Sequence, residues 1–526
     1  MSKIIGINYG PHDSSVCLLE DGKIICAIEE EKLTGVKACY VNYEYPIKSL
    51  DYIEKEFGVT IENCDHLAFS RAYVRQFVKD RAHLGGKITS FSHHDCHALG
   101  SYFTSGFEGK VISLSHDGKG YRSRGKLFIC ENGQFDEIHS QHIPTTASLA
   151  GLWAVSTLHL GWRMLKDEGK VVGLAAHGKF SKEIYSYFKQ FMYYENFEFK
   201  PSNWECLFHY TFNIYKKDNA KIKEWREDFA FTLQKFTEEI FSEFLYDIHK
   251  KFPEYRKICF SGGLFANVKL NQFINDLDIF DEIFIHPAMG DAGLAMGAAL
   301  LKAHELGEIQ KPLRLKNAFL GPSHNFNDWN TAISESNLNV KKEPFSYERA
   351  AKLIDEGYVL GCFFGRTEYG PRALGNRSIV VKPTDPDTHR KLNEKLRRTE
   401  IMPFAPSVLK EEADKVFECD KSKYSAEFMT LCYNARDEWK EKIPAVIQIL
   451  DSSARPQMVD YDLNPNFHSI ISAYYKISGI PLVLNTSFNA HGEPINNYPS
   501  QVMKHLGDGS VDFIANEHYI LSINRD

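Results

Sequence analysis

A chain of 526 residues exceeds the roughly 250–300 at which single hydrophobic cores stop growing, so two domains are expected. Hydrophobic residues at 43% and charged residues at 25% are ordinary for a soluble enzyme, and a net charge of −7 gives no global attraction for nucleic acid. No apolar run reaches the ~20 residues that span a bilayer, no signal-peptide pattern precedes the first strand, and eleven scattered cysteines without a C-x-x-C pair suit a reducing cytosol, so a cytoplasmic protein is expected.

In chain order, Ile4–Ile7 predicts a strand, Tyr9–Asp13 a turn, and Ser15–Leu19 with Ile24–Glu29 a hairpin across Glu20–Asp21–Gly22. This opening resembles that of the actin-like ATPase and sugar-kinase superfamily. Further strands are expected at Lys87–Phe91, Val111–Ser115, Lys126–Cys130 and Lys257–Phe260. A helix is expected from His94 to Phe107, and a long one from Ala220 to about His249. The stripe Trp225, Phe229, Phe231, Leu233, Phe236, Ile240, Phe241 and Leu245 of the long helix reads as core. Strands alternating with helices predict α/β architecture. Residues 307–346 turn polar and read as a linker between a domain at 1–330 and another at 345–526. The second opens with a helix, Tyr347–Glu356, and a strand, Val359–Phe364.

His93 and His97 sit four apart, which stacks two imidazoles on one helix face where a divalent metal can bridge them. Asp117 closes the strand Val111–Ser115, and Asp291 precedes a small-residue helix, Leu294–Leu301. Two imidazoles and two carboxylates suit Fe²⁺, Zn²⁺ or Mn²⁺. Gly262 and Gly263 follow a strand and offer bare N–H groups to an anion, with Asn267 able to address a ribose or base. Glu168–Gly169–Lys170 is a second small-residue stretch of this kind. Three segments of the C-terminal region combine anion-seeking side chains with flexible backbone: Glu368–Ser378, Ser453–Gln457 and Asn485–Asn489. Arginine forks match phosphate and carboxylate oxygens, so together they predict a phosphate-handling site.

Taken together these residues resemble the NodU-type O-carbamoyltransferases, which decorate antibiotics and nodulation factors. Gly365–Ser378, Met402–Ser407, Ala454–Gln457 and Asn485–Asn489 with Glu493–Ile495 carry the resemblance most specifically. It implies an N-terminal actin-like module with an iron site and a C-terminal YrdC-like module that forms a carbamoyl adenylate from carbamoyl phosphate, ATP and Mg²⁺. It implies His93, His97, Asp117 and Asp291 as metal ligands, His12 beside the reacting hydroxyl and Lys37 near the adenylate. Gly118, Glu168, Gly169, Lys170, Gly262, Gly263, Asn267 and Gly290 would hold the adenylate. Arg372, Arg377, Arg398, Arg455, Asn485 and Ser487 would bind carbamoyl phosphate and ATP. The acceptor would be a hydroxyl on a small molecule, no membrane is involved, and a homodimer stays open.

Two departures stand out. Many relatives place an arginine directly before Pro-Phe-Ala-Pro, whereas Arg398–Thr399–Glu400–Ile401–Met402 precedes it here. After Asp117–Gly118 many continue Gly-Glu, but this chain reads Lys119–Gly120–Tyr121–Arg122–Ser123–Arg124–Gly125–Lys126. Lys119, Tyr121, Arg122 and Arg124 then suit a negatively charged acceptor, such as a hydroxymethyl pyrimidine in a nucleotide or DNA, or form a solvated hairpin. Other readings are a tRNA threonylcarbamoyl-type or protein-maturation enzyme and a non-catalytic, actin-like nucleotide-binding protein. The missing zinc-finger cysteine pairs argue against maturation, and the second arginine-rich region against a non-catalytic role.

Overall fold

The structure is a computed structural model and describes residues 2–10, 12–38, 45–70, 77, 79, 81–143, 145–202, 219–398, 403–420, 424–448 and 450–524. Pro11 and Thr399–Met402 lie outside the described residues. The fold is mixed α/β and divides into two compact units, Met1–Asn8 with Asp65–Leu315, and Tyr9–Cys64 with Lys316–Asp526. This is a division by packing. The expected domains 1–330 and 345–526 are a division by function, and residues 9–64 and 316–330 fall differently in the two.

In the first unit, Lys3–Asn8, His66–Phe69 and Ile88–Ser90 pair in parallel. A second sheet runs in the order Glu282–Ile285, Lys257–Ser261, Lys110–His116, Ser123–Glu131, Gln134–His142. Its first three strands are parallel and rich in buried Ile, Val, Leu and Phe, as strands covered on both faces must be. The helices His93–Ser105 and Leu294–Glu305 cross at two glycines. A Cβ on Gly100 would lie 2.8 Å from the Gly297 Cα, and one on Gly297 would lie 2.0 Å from the Cys96 carbonyl oxygen. On its other side the Leu294 helix presses against Gly6, where a Cβ would meet the Ala295 carbonyl oxygen at 2.0 Å.

The long helix spans Asn219–Lys251 and buries Phe229, Leu233, Phe236, Ile240, Phe241 and Leu245 as expected. Phe231 and Trp225 are only half-buried, which corrects the core assignment. Phe231 lies two positions from Phe229, so helical geometry turns it away from the stripe. Trp225 caps the stripe's open end against the Phe229 ring, 5.1 Å away.

The second unit contains the hairpin Ser15–Glu20 with Lys23–Glu29, closed by Asp21 and Gly22, both at positive φ. Its main sheet has eight strands in the order Val340–Pro344, Tyr519–Ile523, Phe513–Ala515, Leu360–Phe363, Arg377–Val381, Leu482–Ser487, Ala405–Leu409, Gln457–Val459. The expected linker is structured, a second correction: it holds the helix Phe326–Glu335 and the edge strand Val340–Pro344. Asn325 and Asp328 form a capping box, and Trp329, Ala332 and Ile333 bury one face. The polar texture belongs to the cap, the solvent face and an exposed edge. Among the described residues no helix is long and apolar enough to cross a membrane.

Candidate functional site

The first unit gathers His93, His97, Asp117 and Asp291, whose ligand atoms all lie within 4.8 Å of one another. The helix starting at His93 presents both rings on one face, the strand Lys110–His116 delivers Asp117 at its end, and the turn Asp291–Gly293 delivers the second carboxylate. Asp117 Oδ2 lies 3.2 Å from His93 Nε2 and 3.4 Å from His97 Nε2. Asp291 Oδ1 lies 3.6 and 3.4 Å from the same two nitrogens. Asn8 fixes the Asp291 carbonyl (2.9 Å) and is itself held by the Ser70 hydroxyl (2.7 Å).

The tautomer of His97 follows from its other nitrogen. The Ser261 hydroxyl donates its single proton to the Met289 carbonyl at 3.2 Å, so it accepts from His97 Nδ1–H at 3.0 Å. His97 Nε2, also buried, faces the Asp117 and Asp291 carboxylates. Carboxylates gathered in a buried space need positive charge beside them, from a protonated imidazole or from a bound cation. Burial would raise the Asp117 pKa, but hydrogen bonds from His93 and His97 outweigh it and hold the carboxyl well below the carboxylate range. Burial opposes a charged His97, and Asp117 and Asp291 overcome it, raising that pKa. Both shifts reflect pairing of the imidazoles with the carboxylates, and the four side chains together form a group able to hold a metal ion.

The neighbouring loops shape this cluster. Gly262 has φ +112°, and a Cβ there would strike the His116 carbonyl oxygen at 2.3 Å. Gly263 N–H donates to Asp117 Oδ1 at 3.3 Å, so the paired glycines lie directly on the ligand. Asn267 spends its amide inside the fold: Oδ1 caps the helix Val268–Asp276 and Nδ2 donates to Gln234 Oε1 at 2.8 Å. Gly290 and Gly169 face open space, Lys170 pairs with Asp167 at 3.2 Å, and Glu168 accepts from Leu165 N–H. In the basic loop, Lys119, Tyr121 and Arg122 are exposed. Arg124 is turned inward, donating to the carbonyls of Thr146 (2.8 Å) and Gly118 (2.9 Å), and Lys126 is paired with Asp95 and Glu137. Arg124 thus braces the Asp117–Gly118 turn.

In the second unit, adjacent strands bring the three anion-seeking segments together. Ser378 lies opposite Ser487, Asn485 lies between Val380 and Ala405, and Ser407 lies opposite Gln457. Burial, and then the nearby charge of Arg455, pushes the Arg372 guanidinium well below its usual range. Arg372 Nε is buried with no hydrogen-bond partner. The other expected ligands are committed inward. Arg377 is fully buried, donates to the carbonyls of Phe364, Asn376 and Gly365, and stacks 3.6 Å over the Phe363 ring. Arg398 donates to Thr486 Oγ1 (2.8 Å) and to the carbonyls of Ser487 (2.8 Å) and Asn489 (2.7 Å). Asn485 Nδ2 donates to Ala373 O and Ser407 Oγ, and Ser487 Oγ to Asn489 Oδ1. Of these four, Asn485 holds the carbonyl next to Arg372 in the chain. His12 and Lys37 lie in this unit's N-terminal segment, His12 half-buried with Nδ1 at 3.0 Å from Asp13 Oδ2 and Lys37 exposed.

Residues 3–82 and 73–300 match the family described as carbamoyltransferase N-terminus, and residues 351–522 the family described as carbamoyltransferase C-terminus. The chain belongs to the carbamoyltransferase family. The nodulation protein NolO of Bradyrhizobium diazoefficiens is 31% identical over 77% of this chain and 74% of its own. The nodulation protein NolNO of Sinorhizobium fredii is 29% identical over 92% and 75%. An uncharacterized protein of Methanocaldococcus jannaschii is 29% identical over 99% of both chains. Among solved structures, HypF of T. kodakarensis is 12% identical, covers 59% of this chain and 48% of its own, and has a TM-score of 0.37. Component A of the (R)-2-hydroxyglutaryl-CoA dehydratase of Acidaminococcus fermentans is 17% identical, covers 57% and 97%, and has a TM-score of 0.38. Scores this low do not fix the fold.

This carbamoyltransferase uses residues that the sequence reading passes over. Ser261 sits in the Gly262–Gly263 turn, where it reads as part of an anion loop, yet it orients His97 from 164 residues away. Arg124 reads as an acceptor contact and instead holds backbone. Nothing in local spacing signals the Ser261 role, because its partner is 164 residues away, whereas Arg124 folds back within its own hairpin onto the Gly118 carbonyl.

Proposed function

We propose that this carbamoyltransferase works in two steps, the first of them ATP-dependent, with an actin-like module at 1–330 and a YrdC-like module at 345–526. In the first step water cleaves carbamoyl phosphate to carbamate and phosphate. A carbamate oxygen then attacks the α-phosphorus of ATP, the bond to the β-phosphate breaks, and pyrophosphate leaves. Arg372 and Arg455 draw these mutually repelling anions together, with Mg²⁺ on the nucleotide. In the second step an acceptor hydroxyl attacks the carbamoyl carbon, the bond to the AMP oxygen breaks, and the hydroxyl proton passes to His12, whose imidazole class has an unperturbed pKa near ~6.5. Lys37, Gly118, Glu168, Gly169, Lys170, Gly262, Gly263 and Gly290 are proposed adenylate contacts. His93, His97, Asp117 and Asp291 would hold a divalent metal, with iron favoured, which supplies positive charge at the carbonyl oxygen when bound.

The observation that carries this reading is the Arg372–Arg455 pair, two half-buried guanidiniums whose charges repel, with Arg372 Nε shut away from water and without a hydrogen-bond partner. A fold tolerates that arrangement where an anion completes it. Charge-assisted bonds to phosphate contribute about 1.5–3 kcal/mol, so Arg455→Ala is expected to slow pyrophosphate release from ATP and carbamoyl phosphate at least about tenfold. Carbamoyl adenylate supplied directly is expected to restore transfer. Pyrophosphate release at the normal rate in Arg455→Ala would remove the residue from the mechanism. Wild-type protein that releases no pyrophosphate would favour a non-catalytic nucleotide binder.

A small-molecule hydroxyl is the favoured acceptor. Lys119, Tyr121 and Arg122 keep a nucleotide or DNA acceptor as a second reading, weakened because Arg124 and Lys126 are committed to the fold. Mass spectrometry for a carbamoyl gain across sugars, nucleosides, tRNA and hydroxymethylated DNA separates these acceptors.

A further inference from the structure

We infer that the buried ion pair of Glu29 and Lys32 is a positioning device that sets the backbone beneath Arg372. The inference rests on the reading of Arg372 as an anion ligand. Lys32 is 1% exposed, and its ammonium reaches three acceptors: the Glu368 carbonyl, the Gly370 carbonyl at 2.9 Å and Glu29 Oε2 at 2.8 Å. Glu29 Oε1 returns to the same loop and accepts from Gly370 N–H at 2.7 Å. Gly370, at φ +111°, is therefore gripped at both its N–H and its carbonyl, in a conformation that side chains avoid. The far end of the loop is gripped too. Glu368 Oε1 accepts from the N–H groups of Leu374 (2.8 Å), Asn376 (3.0 Å) and Arg377 (3.0 Å), and Gln457 Nε2 donates to the Leu374 carbonyl at 2.8 Å. Between the two grips lie Pro371, which has no N–H, Arg372, and Ala373, whose carbonyl accepts from Asn485 Nδ2 at 3.2 Å.

A buried ion pair is a poor way to stabilise a fold, because desolvation offsets the attraction and apolar replacements are often neutral. The cost shows here, since burial pushes the Glu29 carboxyl up to about 6 despite Lys32. The pair instead specifies where three backbone groups lie. Displacing a binding group by about 1 Å can cost on the order of a hundredfold in rate. A short stretch locked on either side of one arginine suits that demand.

The test compares wild type, Lys32→Met and Glu29→Gln in pyrophosphate release, with KM for carbamoyl phosphate, kcat and melting temperature measured together. Lys32→Met, which leaves a buried carboxylate unpaired, is expected to lower the melting temperature and, in protein still folded at the assay temperature, to raise the KM at least about tenfold. Glu29→Gln, which keeps an oxygen acceptor, is expected to raise it by about threefold. A wild-type KM in folded Lys32→Met, or a fall in kcat that only tracks lost stability, overturns the inference. If Lys32→Met does not fold, a wild-type KM in Glu29→Gln overturns it instead. Wild-type protein without pyrophosphate release overturns the reading of the anion site itself, and this inference with it.

Discussion

Residues of one type meet opposite fates here, and the difference lies in what surrounds each polar atom. Arg372 and Arg377 are five apart in the chain, yet Arg377 is spent on carbonyls and a phenyl ring while Arg372 Nε is buried without a hydrogen-bond partner. The histidines divide the same way. His93 and His97 face carboxylates, whereas neighbouring His94 lies between the Ser123 carbonyl and the Ser115 hydroxyl, and burial holds its pKa well down. Ser261 matters most to this candidate metal cluster because its bond to His97 Nδ1 turns Nε2 toward the carboxylates. Outer hydrogen bonds of this kind are worth about 10–100-fold in metal affinity. Ser261→Ala is therefore expected to weaken metal binding by that factor in a competition titration while leaving pyrophosphate release intact. Wild-type affinity in Ser261→Ala would mean that something else sets the tautomer. The clustering of His93, His97, Asp117 and Asp291 was legible from the sequence because the His pair is local and each Asp closes a strand or opens a turn. Ser261 and the inward roles of Arg377 and Arg398 were not, since they depend on partners chosen by the sheets.

At the scale of elements, periodic runs read true and irregular ones did not. The hairpin at Asp21–Gly22 and the long helix were visible in turn chemistry and apolar spacing. The helix Phe326–Glu335 was missed because its cap residues, Asn325 and Asp328, look like loop to a reading that weighs polarity before capping. The crossing of the His93 and Leu294 helices was also hidden, because glycines in helices read as weak points until their neighbours are known. Gly297 is where the two backbones meet, one turn from Gly293 and the Asp291 turn, and its contact is Cys96, next to His97. Overpacking a tight contact costs about 1–3 kcal/mol, so Gly297→Ala is expected to lower stability by at least that much in chemical denaturation. Metal content is expected to fall with it, because the helices that part carry the ligands. A stable Gly297→Ala protein with full metal content would show that the crossing tolerates a methyl group.

Across the whole molecule, the net charge of −7 and the local basic loop point to different acceptors, and the structure narrows the conflict. The basic loop offers Lys119, Tyr121 and Arg122 to solvent, with the Arg122 guanidinium 5.3 Å from the Tyr121 ring centroid. Arg124 braces the turn that carries a metal ligand, so its removal would disturb the cluster whatever the acceptor is. Lys119→Ala with Arg122→Ala is the variant that isolates the loop's exposed charge. Phosphate contacts release counterions, and a protein making about 6–10 of them loses roughly 10³–10⁵ in affinity between about 50 and 200 mM salt. Two exposed cations on an acidic protein are too few for that regime. Transfer to the true acceptor is therefore expected to change by less than about tenfold over that salt range, with pyrophosphate release by the double variant at the wild-type level. A drop of about a thousandfold in transfer over the same range, abolished together with DNA use in the double variant, would replace the small-molecule hydroxyl with a nucleic acid as the acceptor.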